Sequence, residues 1–146
     1  MKIETATVQG LDDTVRLVRS QFKGHEIALP PEALREALVG VLADPSRGAV
    51  LVAYDPDPIG VAVLAYTWTL EHGGRVAWLD ELFVAANHRD RGVGRAMLRR
   101  ALEIAAAAGC RAVDLEVDME HERAEHLYER EGFRRLSRHR WARLLY

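Results

Sequence analysis

The spacing of apolar side chains in the first third of the chain predicts one strand followed by two helices. Residues 2–8 alternate weakly between apolar and polar side chains, as a half-exposed strand does. The turn at residues 10–13 then supplies an N-cap for a helix that runs to about Phe22. Proline at positions 30 and 31 opens a second helix, which ends at Asp44-Pro45. The apolar stripes are Leu11, Val15, Val18 and Phe22 in the first helix and Leu34, Leu38, Val41 and Leu42 in the second.

The remaining pattern alternates strands and helices. Residues 49–54 and 59–68 are strand-like runs joined by a proline-rich hairpin turn, and residues 75–84 form a fourth strand after a glycine turn. A helix over residues 92–108 ends at Gly109, residues 112–117 return as a strand, and a short helix covers residues 121–131. Residues 133–145 alternate again as extended chain. The order βααβββαβαβ predicts an α/β fold in which helices cover both faces of a mixed sheet.

Composition limits the class of protein further. The chain has 146 residues, of which 49% are hydrophobic and 29% charged, with a formal net charge of -2, so we expect one globular domain over residues 1–146. This balance disfavours a disordered chain and a nucleic-acid partner. The single cysteine, Cys110, cannot form an internal disulfide and is expected to begin a buried strand, while the histidines show no metal-ligand spacing. We therefore expect a cytoplasmic protein without a metal and without a membrane segment.

The glycine-rich segment over residues 87–95 is the first candidate for chemistry. It joins the fourth strand to a helix, and arginines accompany its glycines. Backbone N–H groups at a helix N-terminus bind phosphate well when small residues let the anion approach. A Walker loop would need a Gly-Lys-Ser/Thr ending, and a dinucleotide fingerprint would need glycine at Met97. A tight turn with solvated arginines is the simplest alternative, which the loop alone leaves open.

Neighbouring motifs favour a specific family. The pattern Arg89-x-x-Gly92-x-Gly94 follows the strand Leu79-Asp80-Glu81-Leu82-Phe83-Val84 and precedes Ala124-x-x-Leu127-Tyr128-x-x-x-Gly132-Phe133. Together these motifs resemble the GNAT superfamily of acetyl-CoA-dependent N-acetyltransferases, closely over residues 75–145 and loosely before them. Within that superfamily, the paired acids and the tail containing Trp141 look most like diamine (spermidine/spermine) acetyltransferases and their bacterial relatives. The resemblance implies a mostly antiparallel sheet whose fourth and fifth strands splay apart.

The resemblance also implies which residues hold acetyl-CoA. The pantetheine arm would pair with the backbone of Leu82, Phe83 and Val84, as a peptide does when it extends a sheet. The pyrophosphate would lie on the backbone amides of the loop, with the Arg89 side chain closing it. A later helix would add His121, where the family usually has asparagine, and Ala124. The loop residues in question are Asp90, Arg91, Gly92, Val93, Gly94 and Arg95.

Amine acetylation needs a base for the ammonium proton and an acid for the departing thiolate. Glu81 is the leading candidate for the base, acting through water, and Asp80 is the second. Adjacent strand residues face opposite sides, so only one of these carboxylates can point into the acceptor cleft unless a bulge intervenes. Tyr128 matches the family tyrosine near the sulfur of CoA and is protonated at neutral pH, so it is the expected acid.

The expected activity is therefore acetyl transfer from acetyl-CoA to a primary amine of a small molecule, polyamine- or amino-acid-like, within a ternary complex. Two alternatives stay open: a CoA-binding sensor module that has lost its chemistry, and an acetyltransferase of a protein N-terminus or lysine. Family resemblance also implies a homodimer, with the C-terminal strand that carries Trp141 and Leu144 as its candidate interface.

Overall fold

The computed structural model describes residues 1–118 and 121–145, in two compact units that cover residues 1–116 and 117–146. That the two units form one domain stays a prediction. The first unit contains β1 (Lys2–Thr5), α1 (Leu11–Gly24), α2 (Pro31–Ala43), β2 (Gly48–Tyr54), β3 (Pro58–Thr69), β4 (Gly74–Val84), α3 (Val93–Ala107) and β5 (Ala112–Asp114). The second contains α4 (Glu122–Arg130).

The five strands form one mixed sheet in the order β1-β2-β3-β4-β5. The first three pairings are antiparallel, because short turns or returning helices join those strands, whereas β4 and β5 are parallel and α3 connects them. The predicted mixed, mostly antiparallel sheet is thus confirmed.

Helices cover both faces of this sheet, as the alternating pattern predicts. On one face, a buried cluster joins α1 and α2 to the side chains of Val50, Val52, Val61 and Val63. On the other face, α3 packs against β2, β3 and β4 and buries Met97 and Leu98 completely. Residues 61 and 63 of β3 therefore mark the face of α1 and α2, and the intervening residues mark the face of α3.

The beginning of the chain departs from the prediction in its boundaries. The first strand ends at Thr5 instead of residue 8, and a single 3₁₀ turn over Val8–Gly10 leads into α1. Gly10 occupies the N-cap position, so Asp12 and Asp13 lie inside the first turn. Their carboxylates are still favourable there because the N-terminal end of a helix carries a partial positive charge.

The end of the chain departs more. The fifth strand covers Ala112–Asp114 only, and within residues 133–145 the structure contains no strand, so the predicted C-terminal strand is wrong. An alternating pattern specifies which face a segment could bury, but a strand also needs a neighbour to receive its hydrogen bonds. Cys110 lies in the turn before β5 and is half-buried rather than in the core. Within the described residues, no helix combines the length and apolar character that crossing a bilayer would require.

Candidate active site

A β-bulge in β4 decides where the two candidate carboxylates lie. Leu79 pairs with Leu64 of β3, and Glu81 pairs with Val63, the neighbour of Leu64. Two steps along β4 therefore match one step along β3, and Asp80 is the extra residue of the bulge. Val63 lies on the face covered by α1 and α2. An unbroken strand would have turned Glu81 toward α3, and the bulge brings it to the opposite face.

The side chain of Glu81 is half-buried beneath α1. Its Oε2 accepts a hydrogen bond from Nε2 of Gln21, a residue of the last turns of α1. Burial raises the pKa of Glu81 to about 7, the Gln21 hydrogen bond opposes that rise, and the negative charges of Asp80 and Glu116 add to it. Asp80 itself is exposed. Of the two carboxylates, Glu81 has the environment of a base that works near neutral pH.

Beside Glu81, the sheet opens. Among the described strands, β5 pairs with β4 only over Val76–Trp78, so the later half of β4 has no ladder partner on that side. The Ala85 N–H donates to the Ile59 carbonyl on the β3 side. Because backbone groups alternate, those of Leu82 and Val84 point away from β3 and those of Phe83 point toward it. Of the three residues predicted to pair with pantetheine, Leu82 therefore presents both backbone groups to the open edge, and Val84 presents its N–H there, because its carbonyl accepts from Arg89.

The glycine loop has the backbone that an anion site requires. Asp90 and Gly92 both have positive φ, 62° and 81°, and Gly92 caps α3. The Ala96 N–H is the first to bond within the helix, to the Gly92 carbonyl at 3.0 Å. The earlier N–H groups, from Gly92 to Arg95, have no carbonyl four residues before them within the helix. The loop therefore turns backbone donors and the positive end of the α3 dipole to one place.

The Arg89 side chain links the glycine loop to β4. Its Nε donates to the Val84 carbonyl at 2.8 Å, and its guanidinium lies 5.6 Å from the centre of the Phe83 ring. The arginine thus ties the start of the loop to the end of β4. Phe83, whose backbone faces β3, contributes its ring to this contact.

The remaining predicted site residues belong to the second unit and are described within it. His121 is the N-cap of α4, and its carbonyl accepts from the Glu125 N–H at 3.1 Å. Ala124 and Tyr128 follow in the same helix. The Tyr128 ring packs edge-on against Phe133 with 5.7 Å between centroids, and the Tyr128 carbonyl accepts from the Phe133 N–H. The Tyr128-to-Phe133 motif thus forms a local unit at the end of α4.

Gln21 and Glu116 are functional candidates that the sequence did not single out. Gln21 follows Leu17 by four residues and Val18 by three, so helical spacing places it on the buried stripe of α1. A polar side chain on an apolar stripe could have identified Gln21 from the sequence. Its hydrogen-bond partner could not have been identified in this way, because Glu81 lies sixty positions away in the chain.

Three side chains at the turn between β3 and β4 also come close enough to share a metal ion. Ligand atoms of Glu71, His72 and Asp114 lie within 4.8 Å of one another, and His72 Nε2 lies 3.0 Å from Asp114 Oδ2. Sequence spacing could not show this group because β5 brings Asp114 to the turn. The hydrogen bond between His72 and Asp114 ties the turn to β5, and the expectation of no metal stays a prediction.

Comparison with known proteins agrees with this geometry. The model of the Acetyltransferase (GNAT) family matches residues 11–133. The chain belongs to the GNAT family. Its enzyme class is accordingly that of the acetyl-CoA-dependent N-acetyltransferases. The narrower likeness to diamine acetyltransferases stays a prediction.

Individual GNAT relatives resemble the chain at modest identity. An uncharacterized N-acetyltransferase of Methanocaldococcus jannaschii is 28% identical over 134 residues, which cover 90% of this chain and 59% of that protein. Mouse thialysine N-epsilon-acetyltransferase is 26% identical over 146 residues, 88% of this chain and 81% of the relative. Among solved structures, an integron cassette protein from the mobile metagenome of Cole Harbour Salt Marsh is 27% identical, covers 99% of this chain and 90% of its own, and superposes with a TM-score of 0.87.

Proposed function

We propose that this GNAT enzyme acetylates a primary amine of a small cationic molecule, polyamine-like or lysine-like, by direct transfer from acetyl-CoA in a ternary complex. Glu81 is the general base of this reaction. The observation that carries the proposal is the position of Glu81: the bulge at Asp80 turns it beneath α1, beside the open edge of β4. Burial there raises the pKa of Glu81 to about 7, close to the pH at which an amine must be deprotonated.

A base with this environment suits amine acetylation. Primary amines are mostly protonated at neutral pH and become nucleophiles only after they lose that proton. A base is most useful when its pKa lies near the working pH, because it is then largely ionised and still holds the proton it takes. Burial supplies this property to Glu81, whose pKa rises from 4.5 to about 7. Asp80 is exposed and is the second candidate for the base.

The first unit also fits the nucleotide that the family uses. Bound acetyl-CoA supplies an activated acetyl thioester, and the residues that would hold it are those predicted from the sequence. Leu82 offers its backbone groups and Val84 its N–H at the open edge of β4, and the left-handed Gly92 lets the N–H groups of residues 92–95 face an anion. A side chain on Gly92 would strain that backbone, so the residue present is the one the site requires. The whole proposed set is Leu82, Phe83, Val84, Arg89, Asp90, Arg91, Gly92, Val93, Gly94, Arg95, His121, Ala124 and Tyr128.

Tyr128 is the proposed acid, by resemblance to the family tyrosine. Its phenol would return a proton to the thiolate after transfer, which balances the proton that Glu81 takes from the amine. Packing of the Tyr128 ring against Phe133 restricts the directions that the hydroxyl can take.

Negative charge around Glu81 supports a cationic acceptor. Asp80 and Glu116 are both exposed, and both raise the pKa of Glu81 through repulsion. The same field attracts a molecule with more than one ammonium group, of which one reacts while another stays charged. A lysine-like acceptor also agrees with the similarity to mouse thialysine N-epsilon-acetyltransferase.

A homodimer in the cytoplasm completes the proposal. Trp141, Leu144 and Leu145 are 90%, 88% and 86% exposed. Large exposed apolar side chains are typical of interaction sites, and a second copy of the chain is the occupant that family resemblance implies. The single cysteine suits a reducing compartment.

A thiol-release assay tests the proposed activity. The protein is incubated with acetyl-CoA and, separately, with polyamines, lysine-like amino acids, aminoglycosides and peptide N-termini. We expect turnover with di- and polycationic small amines and little with peptides. Turnover confined to peptides or lysine-containing proteins would refute the small-molecule assignment. Binding of acetyl-CoA without turnover on any amine would instead favour the sensor alternative.

A further inference from the structure

We propose that Gln21 is the positioning residue of the general base, holding the carboxyl group of Glu81 in one orientation while that group gains and loses a proton. The inference rests on the proposed role of Glu81. It gives a role in proton transfer to α1, a helix that precedes all of the family motifs in the sequence. The observation that carries it is the direct hydrogen bond from Gln21 Nε2 to Glu81 Oε2.

The backbone of Gln21 is fixed by the packing of α1. Thr14, Leu17 and Val18 lie on the same stripe of the helix and are 0%, 4% and 2% exposed. They precede Gln21 by seven, four and three residues, respectively, which are the spacings at which helical side chains share a face. Gln21 is the polar end of this stripe, where α1 passes over β4. The amide therefore approaches Glu81 from a rigid element.

An amide is suited to a partner that changes its protonation state. Its NH₂ group donates to a carboxylate, and its carbonyl oxygen accepts from a protonated carboxylic acid. Rotation of the terminal torsion of Gln21 exchanges these two groups without moving the rest of the side chain, because that torsion is soft. Glu81 can thus keep one partner before and after it takes the proton from the amine. An ionic partner would stabilise one state only.

The hydrogen bond also balances the charges around Glu81. The charged groups that act on Glu81 are Asp80 of its own strand and Glu116, which follows β5, and both disfavour its ionised form. Gln21 stabilises the ionised form from the side of α1. Removal of its amide should consequently leave a base that ionises only at higher pH and whose carboxyl group rotates more freely.

The test is Gln21→Met, which keeps the length and helical preference of the side chain but removes the amide. Its matched control is Gln9→Met, since Gln9 is the other glutamine of the chain and is exposed. The pH dependence of kcat/KM is measured with an amine that the wild-type enzyme accepts. We expect the ascending limb of Gln21→Met to move up by about one pH unit, the size expected for loss of a hydrogen bond to a charged group. Gln9→Met should match the wild-type profile.

A second measurement does not depend on turnover. The ionisation of Glu81 is followed by carboxyl ¹³C NMR in the wild type, Gln21→Met and, to assign the signal, Glu81→Gln. A higher pKa for the Glu81 carboxyl in folded Gln21→Met supports the inference. An unchanged titration would overturn it, and so would an unchanged ascending limb of kcat/KM in an enzyme whose limb depends on Glu81.

The same experiments separate this inference from the proposed function. If Glu81→Gln keeps the wild-type ascending limb, the assignment of the base fails. The NMR titration then still decides whether Gln21 controls the ionisation of Glu81. If Glu81→Gln loses the limb and Gln21→Met keeps it unchanged, the base assignment stands and the role of Gln21 falls.

Discussion

Replacement of Glu81 by glutamine should stabilise the folded protein at alkaline pH and leave it nearly unchanged at acidic pH. The reason is the energetic penalty of a half-buried carboxylate. Folding raises the pKa of Glu81 from 4.5 to about 7, because burial and the neighbouring carboxylates disfavour its charge. Between these two values, the folded protein binds a proton that the unfolded chain releases. Wild-type stability therefore falls as the pH rises through this window and stays lower above it.

The size of the effect follows from the same rise. A change from 4.5 to about 7 corresponds to at most ~3 kcal/mol in the free energy of unfolding. The carboxylate is only half-buried, so solvent screening reduces the expected value to ~1–2 kcal/mol. Glutamine has the shape of the protonated acid and can still pair with Gln21 through its amide. A gain of ~1–2 kcal/mol raises the Tm of a chain of this size by about 3–6 °C.

The assay compares the wild type, Glu81→Gln and the control Glu36→Gln by urea and thermal unfolding at pH 5 and pH 8.5. Glu36 is an exposed residue of α2, so its substitution should change stability little at either pH. Subtracting the free energies of unfolding of two variants at the same pH cancels the contribution of every group that titrates equally in the two proteins. Destabilisation by Glu81→Gln at pH 8.5, or equal stabilisation at both pH values, would show that the Glu81 carboxylate carries no burial penalty.

Four further predictions concern binding, packing, chemistry and assembly. Gly92→Val should weaken acetyl-CoA binding in calorimetry at least tenfold, because a φ of 81° disfavours any side chain. The control is Gly24→Val, whose new side chain would lie in open space at the end of α1, and equal affinities of the two variants would argue against the loop site. Gly60→Ala should lower the free energy of unfolding by ~1–3 kcal/mol, since its β-carbon would lie 2.8 Å from Met97 Sδ; a wild-type urea midpoint would show that the core yields there. Tyr128→Phe should reduce kcat by about 10²–10⁴-fold with acetyl-CoA still bound, and near-wild-type turnover would remove the acid role. Light scattering should give a dimeric mass that Trp141→Arg converts to a monomer, whereas a monomeric wild type at high concentration would contradict the proposed dimer.

Sequence patterns predicted most of the first unit because its elements are specified locally. The stripe of α3, the proline-rich turn before β3 and the glycine before α3 each determine a conformation from a few neighbouring residues. The left-handed Gly92 is an example: its backbone is strained for other residues, so its presence in the sequence already indicates the turn. The order of elements and the mixed sheet followed from such local signals.

The remaining features depend on residues that are close in space but distant in the chain, and a local sequence pattern does not contain that information. Residues 112–117 and 133–145 both alternate as strands do, yet only Ala112–Asp114 pairs with another strand among the described residues. A ladder requires a second backbone at the right distance and register. The group of Glu71, His72 and Asp114 likewise exists only because β5 returns beside the turn between β3 and β4.

The chemistry of Glu81 shows the same division most clearly. The sequence by itself indicated that two adjacent carboxylates would lie on β4 and that, without a bulge, only one of them could point into the acceptor cleft. Only the tertiary structure decided the outcome, because the register of β3 against β4 makes Asp80 the extra residue and turns Glu81 toward α1. Burial beneath α1, the charge of Glu116 and the amide of Gln21 then set its ionisation. A pKa depends on every group within a few ångströms, and most of those groups are distant in the chain.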